Sequence, residues 1–170
     1  MSAVAIGLLK KGYSVSGSDL VKNNETKTLE NLGAVVFNSQ VQQNIKFLTS
    51  KFNNKKIIFV VSSAIKSENE ELSYCRKKNL VIKHRSEILA MLMQLYTSLA
   101  VAGSHGKTST STFLSTLLEL CTKNSSSITG GIIPFYNSNC HLENTKFLVA
   151  EVDESDGTIN RYKSDIGIIN

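Results

Sequence analysis

The segment that most constrains the fold of this chain is a short glycine-rich loop between a strand-like and a helix-like stretch. Residues 99–102 are small or apolar and predict a strand, and residues 108–120 have the composition of a helix. The loop between them consists of Gly103, Ser104, His105, Gly106, Lys107 and Thr108. A strand, a tight loop and a helix in this order are typical of α/β proteins with a parallel sheet.

The residue types in this loop are suited to binding an anion. Gly103 and Gly106 let backbone N–H groups turn toward a phosphate without a Cβ in the way, and the following helix directs its N-terminal dipole at the same place. Lys107 would reach the outer phosphates of a nucleotide, and the Thr108 hydroxyl would bind Mg²⁺. The usual pattern has another glycine two residues before Gly103, so this loop is a shorter variant. It predicts a site for ATP and Mg²⁺.

A second group of polar residues follows the apolar run at 147–150. Its carboxylates are Glu151, Asp153, Glu154 and Asp156. Because the carboxyl ends of parallel strands meet at one edge of a sheet, a carboxylate from this segment can reach a metal beside the loop. Glu151 comes first after the strand, so we predict it as the magnesium ligand and, with Lys107, as a catalytic residue. The alternative is a polar strand exit whose carboxylates are solvated.

The three histidines indicate less about function than the glycine loop does. His105 lies inside the glycine loop, where it either fills a turn position or contacts a bound substrate. His84 and His141 have no partner pattern in the sequence, and we predict both as surface residues.

Composition and charge exclude several classes of protein. The lysines and arginines behind the net charge of +5 are scattered and not interleaved with aromatic residues, so nucleic-acid binding is not expected. No apolar run approaches the ~20 residues of a membrane span, and residues 1–12 do not resemble a signal peptide. The three cysteines are widely spaced, which predicts free thiols in a reducing cytoplasm. The sequence leaves the oligomeric state open.

Apolar, β-branched runs alternate with helix-like stretches along the chain. Strands are predicted at 13–16, 34–37, 56–61, 80–82, 99–102, 147–150 and 166–169, and helices at 3–11, 25–31, 41–50, 68–78, 86–96 and 108–120. We therefore predict an α/β fold, with a Rossmann-like parallel-sheet domain at 1–96 followed by the start of a P-loop-type α/β ATPase domain at 97–170. The chain opens on a helix and closes on an uncovered strand, which predicts a fragment of a longer enzyme.

Five segments of the chain resemble one known family. GSHGKTST (residues 103–110) is similar to the signature of the Mur ligases, and AEVDESDGT (150–158) resembles the segment that follows it in that family. YSVSGSDL (13–20), VVSSAI (60–65) and HRSEILAMLM (84–93) agree as well. The resemblance implies a cytoplasmic, ATP-dependent ligase of peptidoglycan synthesis, a pathway that serves cell shape and division. The segments at 60–65 and 150–158 favour the branch that joins L-alanine to the carboxylate of UDP-N-acetylmuramate.

The resemblance also implies roles for single residues. Lys107 matches the phosphate-binding lysine of the family, Thr108 and Glu151 match its magnesium ligands, and the nucleotide-binding segment extends to Ser109. Asp19 lies where the uridine moiety is expected, and Ser62 and Ser63 lie near the UDP-sugar. Ser104 and Ser109 stand where the family has threonines. The family's N-terminal glycine-rich turn and its C-terminal domain are not among these residues, so we expect this chain by itself to be inactive.

Three other functions remain open from the sequence. One is a general P-loop NTPase that couples hydrolysis to motion, against which the short loop and the acidic segment argue. Another is a non-catalytic module that binds a nucleotide or a UDP-sugar. The third is the related ligase that recycles murein tripeptide, which shares the phosphate loop.

Overall fold

The structure is a computed structural model that describes residues 1–52, 56–122, 124–154 and 157–170. It contains two compact units, the first made of Met1–Tyr13 with Ser86–Asn170 and the second of Ser14–Arg85. The predicted ranges 1–96 and 97–170 differ from these units, because residues 1–13 and 86–96 belong to the unit that contains the glycine loop. The assignment of a sugar-binding and an ATP-binding domain stays a prediction.

Helices and strands alternate along most of the chain, as predicted. In chain order the elements are α1 (Ser2–Lys10), β1 (Ser16–Ser18), α2 (Asn24–Asn31), β2 (Val35–Phe37), α3 (Gln42–Lys51), β3 (Phe59–Val61), α4 (Glu70–Lys77), β4 (Ile82–His84), α5 (Arg85–Met93), β5 (Thr97–Ala102), α6 (Lys107–Thr122), β6 (Ser125–Ile133), β7 (Ser138–His141), β8 (Phe147–Glu151) and β9 (Ile166–Ile169). Short 3-10 helices lie at Pro134–Tyr136 and Thr158–Arg161. No helix in the described part of the chain is both long and apolar enough to span a membrane.

The unit that contains the glycine loop is built on a five-stranded sheet in the order β7-β6-β8-β5-β9. All neighbouring strands are parallel except β6 and β7, which are antiparallel. Leu99, Val101 and Val149 form a buried cluster against which Leu114 and Leu118 of α6 pack. The apolar runs that predicted strands therefore lie in the centre of the sheet, which confirms a mostly parallel α/β fold.

The second unit contains two parallel strand pairs, β1 with β2 and β3 with β4. Glu71 of α4 links separate elements, because its carboxylate accepts hydrogen bonds from Ser18 Oγ at 2.5 Å and from Asn44 Nδ2 at 2.7 Å. The Asn23 side chain caps α2 by accepting a hydrogen bond from the Thr26 backbone N–H at 2.9 Å. Polar side chains thus fix the termini and the packing of these short elements.

The largest difference from the predicted elements is the hairpin β6–β7, which the sequence pattern missed. β6 begins with three serines, Ser125, Ser126 and Ser127, and all three are fully buried between β7 and β8. Consecutive serines carry no hydrophobic periodicity, so the usual strand signal is absent. The strand predicted at 13–16 lies instead at Ser16–Ser18, and the one predicted at 56–61 is limited to Phe59–Val61.

The cysteines differ in reactivity because they differ in burial. All three are free, as predicted. Burial raises the pKa of the Cys140 thiol to about 12, and burial together with the charge of Glu71 raises the pKa of Cys75 to about 11. Cys121, near the end of α6, is exposed. Since the thiolate is the reactive form, only Cys121 should react readily near neutral pH.

We therefore expect a disulfide reagent at pH 8 to modify one thiol of the folded chain quickly and the other two slowly. Replacing Cys121 by serine should remove the fast phase, and all three thiols should react quickly in concentrated guanidinium chloride. The measurement is the absorbance of the released thiolate against time. A fast phase that persists in Cys121→Ser would contradict the burial of Cys75 and Cys140.

Candidate functional site

The glycine loop and the acidic segment lie at the same edge of the five-stranded sheet. β5 ends at Ala102, directly before Gly103, and β8 ends at Glu151. The two strands are parallel neighbours, and Val101 is paired with Glu151. This register brings Glu151 beside the loop although 48 positions (151 − 103) separate it from Gly103 in the sequence. The edge formed by the carboxyl ends of the strands is where ligands bind in folds of this class.

Both glycines of the loop have backbone conformations that favour glycine. Gly103 has φ of 133° and Gly106 has φ of 74°. Gly103 also has no room for a side chain, because a Cβ there would lie 2.4 Å from the backbone oxygen of Asn170. α6 begins at Lys107, directly after the loop. The predicted arrangement of strand, glycine turn and helix N-terminus is therefore present.

The Lys107 side chain folds back over the loop. Its Nζ donates to the Gly103 carbonyl at 2.6 Å and forms an ion pair with Glu154, with Nζ 3.1 Å from Oε1. The backbone N–H of Glu154 and the Lys107 ammonium hold the pKa of the Glu154 carboxyl below its usual value. A cation fixed at the mouth of a glycine loop is suited to bind a phosphate, which would have to replace Glu154 as its partner.

The Thr108 hydroxyl and the Glu151 carboxylate lie side by side at the loop, and we call these two groups the oxygen pair. Thr108 Oγ1 donates to the Glu151 carboxylate, 3.0 Å from Oε2 and 3.2 Å from Oε1. The Gly130 backbone N–H donates to the same carboxylate, 2.9 Å from Oε2. The sequence predicted Thr108 and Glu151 as ligands of one Mg²⁺ ion, but it gave no sign of the Gly130 contact, because β6 was not predicted.

This oxygen pair fits Mg²⁺. Adjacent ligands of an octahedral Mg²⁺ ion lie about 2.1 Å from it and therefore about 3 Å from each other, which is the separation of Thr108 Oγ1 and Glu151 Oε2. No group of three or more His, Cys, Asp and Glu side chains forms a metal cage in the described part of the chain. A site of this kind leaves the other ligand positions to water and to phosphate oxygens.

A cavity of about 210 Å³ lies over the loop. It is lined by Ser104, His105, Gly106, Lys107, Thr108, Ser109 and Glu151. Its lining includes every predicted nucleotide-binding residue except Gly103, the first residue of the loop, which is buried. His105 is exposed on the cavity wall, a position compatible with either of its two interpretations. Of the predicted carboxylates, Glu151 faces the cavity and Glu154 holds Lys107, whereas Asp156 lies outside the described residues.

The residues predicted to bind the UDP-sugar lie in the second unit. Asp19 directly follows β1, and its carboxylate accepts a hydrogen bond from the Val21 backbone N–H at 2.9 Å. Ser62 and Ser63 directly follow β3, and Ser63 Oγ lies 3.1 Å from His84 Nε2 at the end of β4. All of these residues follow or end a parallel strand, but their predicted roles stay predictions.

His84 and His141, both predicted as surface residues, are partly exposed and have side-chain contacts that the sequence did not indicate. His84 is half-buried and hydrogen-bonded to Ser63. The His141 ring stacks on Tyr136 with the ring centroids 4.0 Å apart. Burial first, and then the charge of Lys10, lower the pKa of His141. The Ser63–His84 contact depends on the pairing of β3 with β4, and the Tyr136–His141 stack belongs to the hairpin β6–β7, which the sequence pattern missed.

Comparison with known proteins identifies the family of this chain. The profile of the Mur ligase family, catalytic domain, matches residues 1–97. The chain belongs to the Mur ligase family, which confirms the family inferred from the motifs. The matched range ends before the glycine loop, so the roles of the loop residues rest on their own geometry.

Curated relatives resemble the chain over its whole length. The UDP-N-acetylmuramate–L-alanine ligase of Prochlorococcus marinus subsp. pastoris is 71% identical over 170 residues, which are all of this chain and 36% of the relative. The protein of the same name from a Synechococcus strain is 45% identical over 99% of this chain and 35% of its own length. The chain thus spans about a third of the length of these relatives.

Two solved structures have the same fold. The UDP-N-acetylmuramate:L-alanyl-γ-D-glutamyl-meso-diaminopimelate ligase of Neisseria meningitides aligns with a TM-score of 0.89 and 20% identity, over 100% of this chain and 57% of that one. The UDP-N-acetylmuramate-alanine ligase of Thermotoga maritima aligns with a TM-score of 0.86 and 24% identity, over 99% and 38%. At these identities the structures support the fold alone.

Proposed function

We propose that this chain provides the phosphate-binding and UDP-sugar-binding parts of an ATP-dependent ligase that joins L-alanine to the carboxylate of UDP-N-acetylmuramate. The observation that carries this proposal is the glycine loop, which has the Lys107 ammonium on one side and the Thr108–Glu151 oxygen pair on the other. Residues 97–170 would hold ATP, residues 1–96 would hold the UDP-sugar, and the reaction would take place in the cytoplasm.

The loop residues would act by positioning phosphates and neutralising charge. Lys107 would exchange Glu154 for oxygens of the outer phosphates, and the loop N–H groups and the N-terminus of α6 would face the same anion. Thr108 and Glu151 would hold Mg²⁺, which would supply positive charge to neutralise the phosphates. Phosphoryl transfer needs little covalent chemistry from a protein, so these electrostatic contacts are the main catalytic means available to the site.

The proposed reaction has two steps. An oxygen of the UDP-N-acetylmuramate carboxylate forms a bond to the γ-phosphorus of ATP while the bond to the β–γ bridging oxygen breaks, which leaves ADP and an acyl phosphate. The amine of L-alanine then attacks the activated carbonyl, and inorganic phosphate leaves as the amide forms. The first step is required because a free carboxylate is a poor electrophile.

Residues of the second unit would hold the UDP-sugar. Asp19 would contact the uridine moiety, and Ser62 and Ser63 would contact the sugar diphosphate. His84 would orient the Ser63 hydroxyl, since the two groups are within hydrogen-bond distance. His105, exposed on the cavity wall, would contact a bound substrate.

The curated relatives support the alanine-adding reaction over the recycling reaction. The relatives at 71% and 45% identity are both named for L-alanine. The structure of a tripeptide ligase aligns equally well, but at 20% identity it supports the fold and not the substrate. A non-catalytic binding module remains the alternative for these residues by themselves.

A chimera would test the proposed reaction. The corresponding 170 residues of the Prochlorococcus relative would be replaced by this chain, and phosphate release would be followed with ATP, Mg²⁺, UDP-N-acetylmuramate and either L-alanine or murein tripeptide. We expect turnover with UDP-N-acetylmuramate and L-alanine. A folded chimera that binds nucleotide without turnover would favour the binding module, and turnover only with the tripeptide would favour the recycling ligase.

The same assay with the 170 residues by themselves should show binding of MgATP without turnover. The relatives named for this reaction are nearly three times as long, so about two thirds of their length lies outside the matched segment. Phosphate release by the purified chain at a rate comparable with the chimera would contradict this expectation.

A further inference from the structure

The stretch of β6 that reaches Glu151 has an irregular register with β7. β6 pairs with β7 in regular register at Ser127 and Ile128, and the register shifts before the next pair, Ile133 with Ser138. Thr129 lies at the start of this shift and is 3% exposed. Its hydroxyl donates to the Gly131 carbonyl, two residues further along, at 2.8 Å. Gly130 and Gly131 therefore lie within the irregular part of the β6–β7 ladder.

Gly130 holds one oxygen of the Glu151 carboxylate. Its N–H donates to Oε2 at 2.9 Å, and Thr108 Oγ1 lies 3.0 Å from the same oxygen. The terminal torsion of a glutamate side chain has a broad energy profile, so the carboxylate plane is not set by rotamer preference. The Gly130 N–H supplies that constraint.

Glycine is needed at both positions because of close approach and not because of backbone angles. Neither residue has a positive φ, so alanine could adopt both conformations. A Cβ on Gly130 would lie 2.9 Å from Glu151 Oε1, and a Cβ on Gly131 would lie 2.9 Å from Thr108 Cγ2. Contacts this short force the neighbouring group to move. The groups that would move are the two predicted magnesium ligands.

We propose that Gly130 and Gly131, which we call the glycine pair, are positioning residues for the metal. Gly130 orients the Glu151 carboxylate through its N–H, and Gly131 allows the Thr108 hydroxyl to come within 3.0 Å of that carboxylate. This inference rests on the proposed function, because it assumes that Thr108 and Glu151 bind Mg²⁺. Groups that orient metal ligands typically change metal affinity by about 10- to 100-fold when they are removed.

The test measures Mn²⁺ binding to the 170-residue chain in the presence of ATP, by the loss of the electron paramagnetic resonance signal of free Mn²⁺. Gly130→Ala and Gly131→Ala should each weaken Mn²⁺ binding by about tenfold or more. Binding of ATP in excess chelator, which reports the Lys107 side of the loop, should stay within about twofold. Gly167→Ala is the matched control, since Gly167 lies in β9 with nothing near its Cβ position and should behave as the unchanged chain.

A rescue separates a positioning role from general damage to the fold. Thr108→Ser removes the methyl group that a Cβ on Gly131 would strike and keeps the hydroxyl, so Gly131→Ala/Thr108→Ser should recover most of the Mn²⁺ affinity lost in Gly131→Ala. Failure of the rescue, or equal losses in metal-bound and metal-free ATP binding, would overturn the inference. This arm stays informative even if Gly130→Ala does not fold.

Glu151→Gln distinguishes this inference from the proposed function. If Glu151→Gln weakens Mn²⁺ binding and both glycine variants do not, the metal site stands and the glycine pair has no positioning role. If Glu151→Gln leaves Mn²⁺ binding unchanged, the assignment of the metal site is wrong and the inference is overturned with it. The expected result is a loss in Glu151→Gln and in both glycine variants.

Discussion

Replacing Lys107 by alanine is expected to weaken the binding of MgATP to this chain by about 10- to 100-fold. A hydrogen bond to a charged group contributes about 1.5–3 kcal/mol, and about 1.4 kcal/mol corresponds to a factor of ten. The change also leaves Glu154 without the ammonium that lies 3.1 Å from it, so a negative charge would remain near the triphosphate. In the chimera proposed above, the same change should reduce ATP turnover to background, because Lys107 supplies the cation of the loop.

The measurement for Lys107→Ala is isothermal titration of MgATP, with Lys146→Ala as the matched control. Lys146 directly precedes β8, the strand that ends at Glu151, and its ammonium lies over the Phe147 ring. It therefore tests the loss of one positive charge at the opposite end of the same strand. We expect Lys146→Ala to bind MgATP within about twofold of the unchanged chain. Equal losses in the two variants would show that Lys107 acts only through net charge and has no direct contact with the nucleotide.

Replacing Leu148 by alanine is expected to lower the free energy of unfolding by about 2–5 kcal/mol, the range found for large-to-small changes at buried leucines. Leu148 is 0% exposed and lies in β8, the central strand of the five-stranded sheet. The change removes buried apolar volume at a position with little freedom to collapse, because β8 is paired on both sides. A loss of this size is a large part of the 5–15 kcal/mol that stabilises a typical protein.

Urea unfolding followed by far-ultraviolet circular dichroism measures this effect. The control is Leu117→Ala, because Leu117 is 59% exposed on α6 and its replacement should change the free energy of unfolding by less than about 0.5 kcal/mol. If the two variants unfold at the same urea concentration, Leu148 does not have the buried position described above.

The ion pair between Lys107 and Glu154 affects how strongly a phosphate would bind at the loop. In the structure the ammonium is already paired, with the Gly103 carbonyl and with Glu154. Binding of a phosphate therefore replaces one charged partner by another and does not create a new ion pair. The gain from the Lys107 contact is the difference between the two pairings, which is why the expected loss on mutation is moderate and not the full strength of an ammonium–phosphate contact.

Much of the fold could be predicted because it rests on local patterns. The run at 99–102 and the run at 147–150 are apolar, and both form interior strands of the five-stranded sheet. The helix after the loop begins within one residue of its predicted start. β6 could not be predicted, since Ser125, Ser126 and Ser127 look like a loop and are buried only because β7 and β8 cover them.

The sequence by itself predicted the residue types of the candidate site: two glycines with a lysine and a threonine for a phosphate, and a carboxylate at the end of a later strand for a metal. Those inferences depend on residue types and short spacings, which are local properties. Only the tertiary structure decided which carboxylate faces Thr108, which one holds Lys107, and that Gly130 donates to Glu151. These contacts join segments that are far apart in the chain, and the pairing of β5, β6 and β8 is what brings them within hydrogen-bond distance.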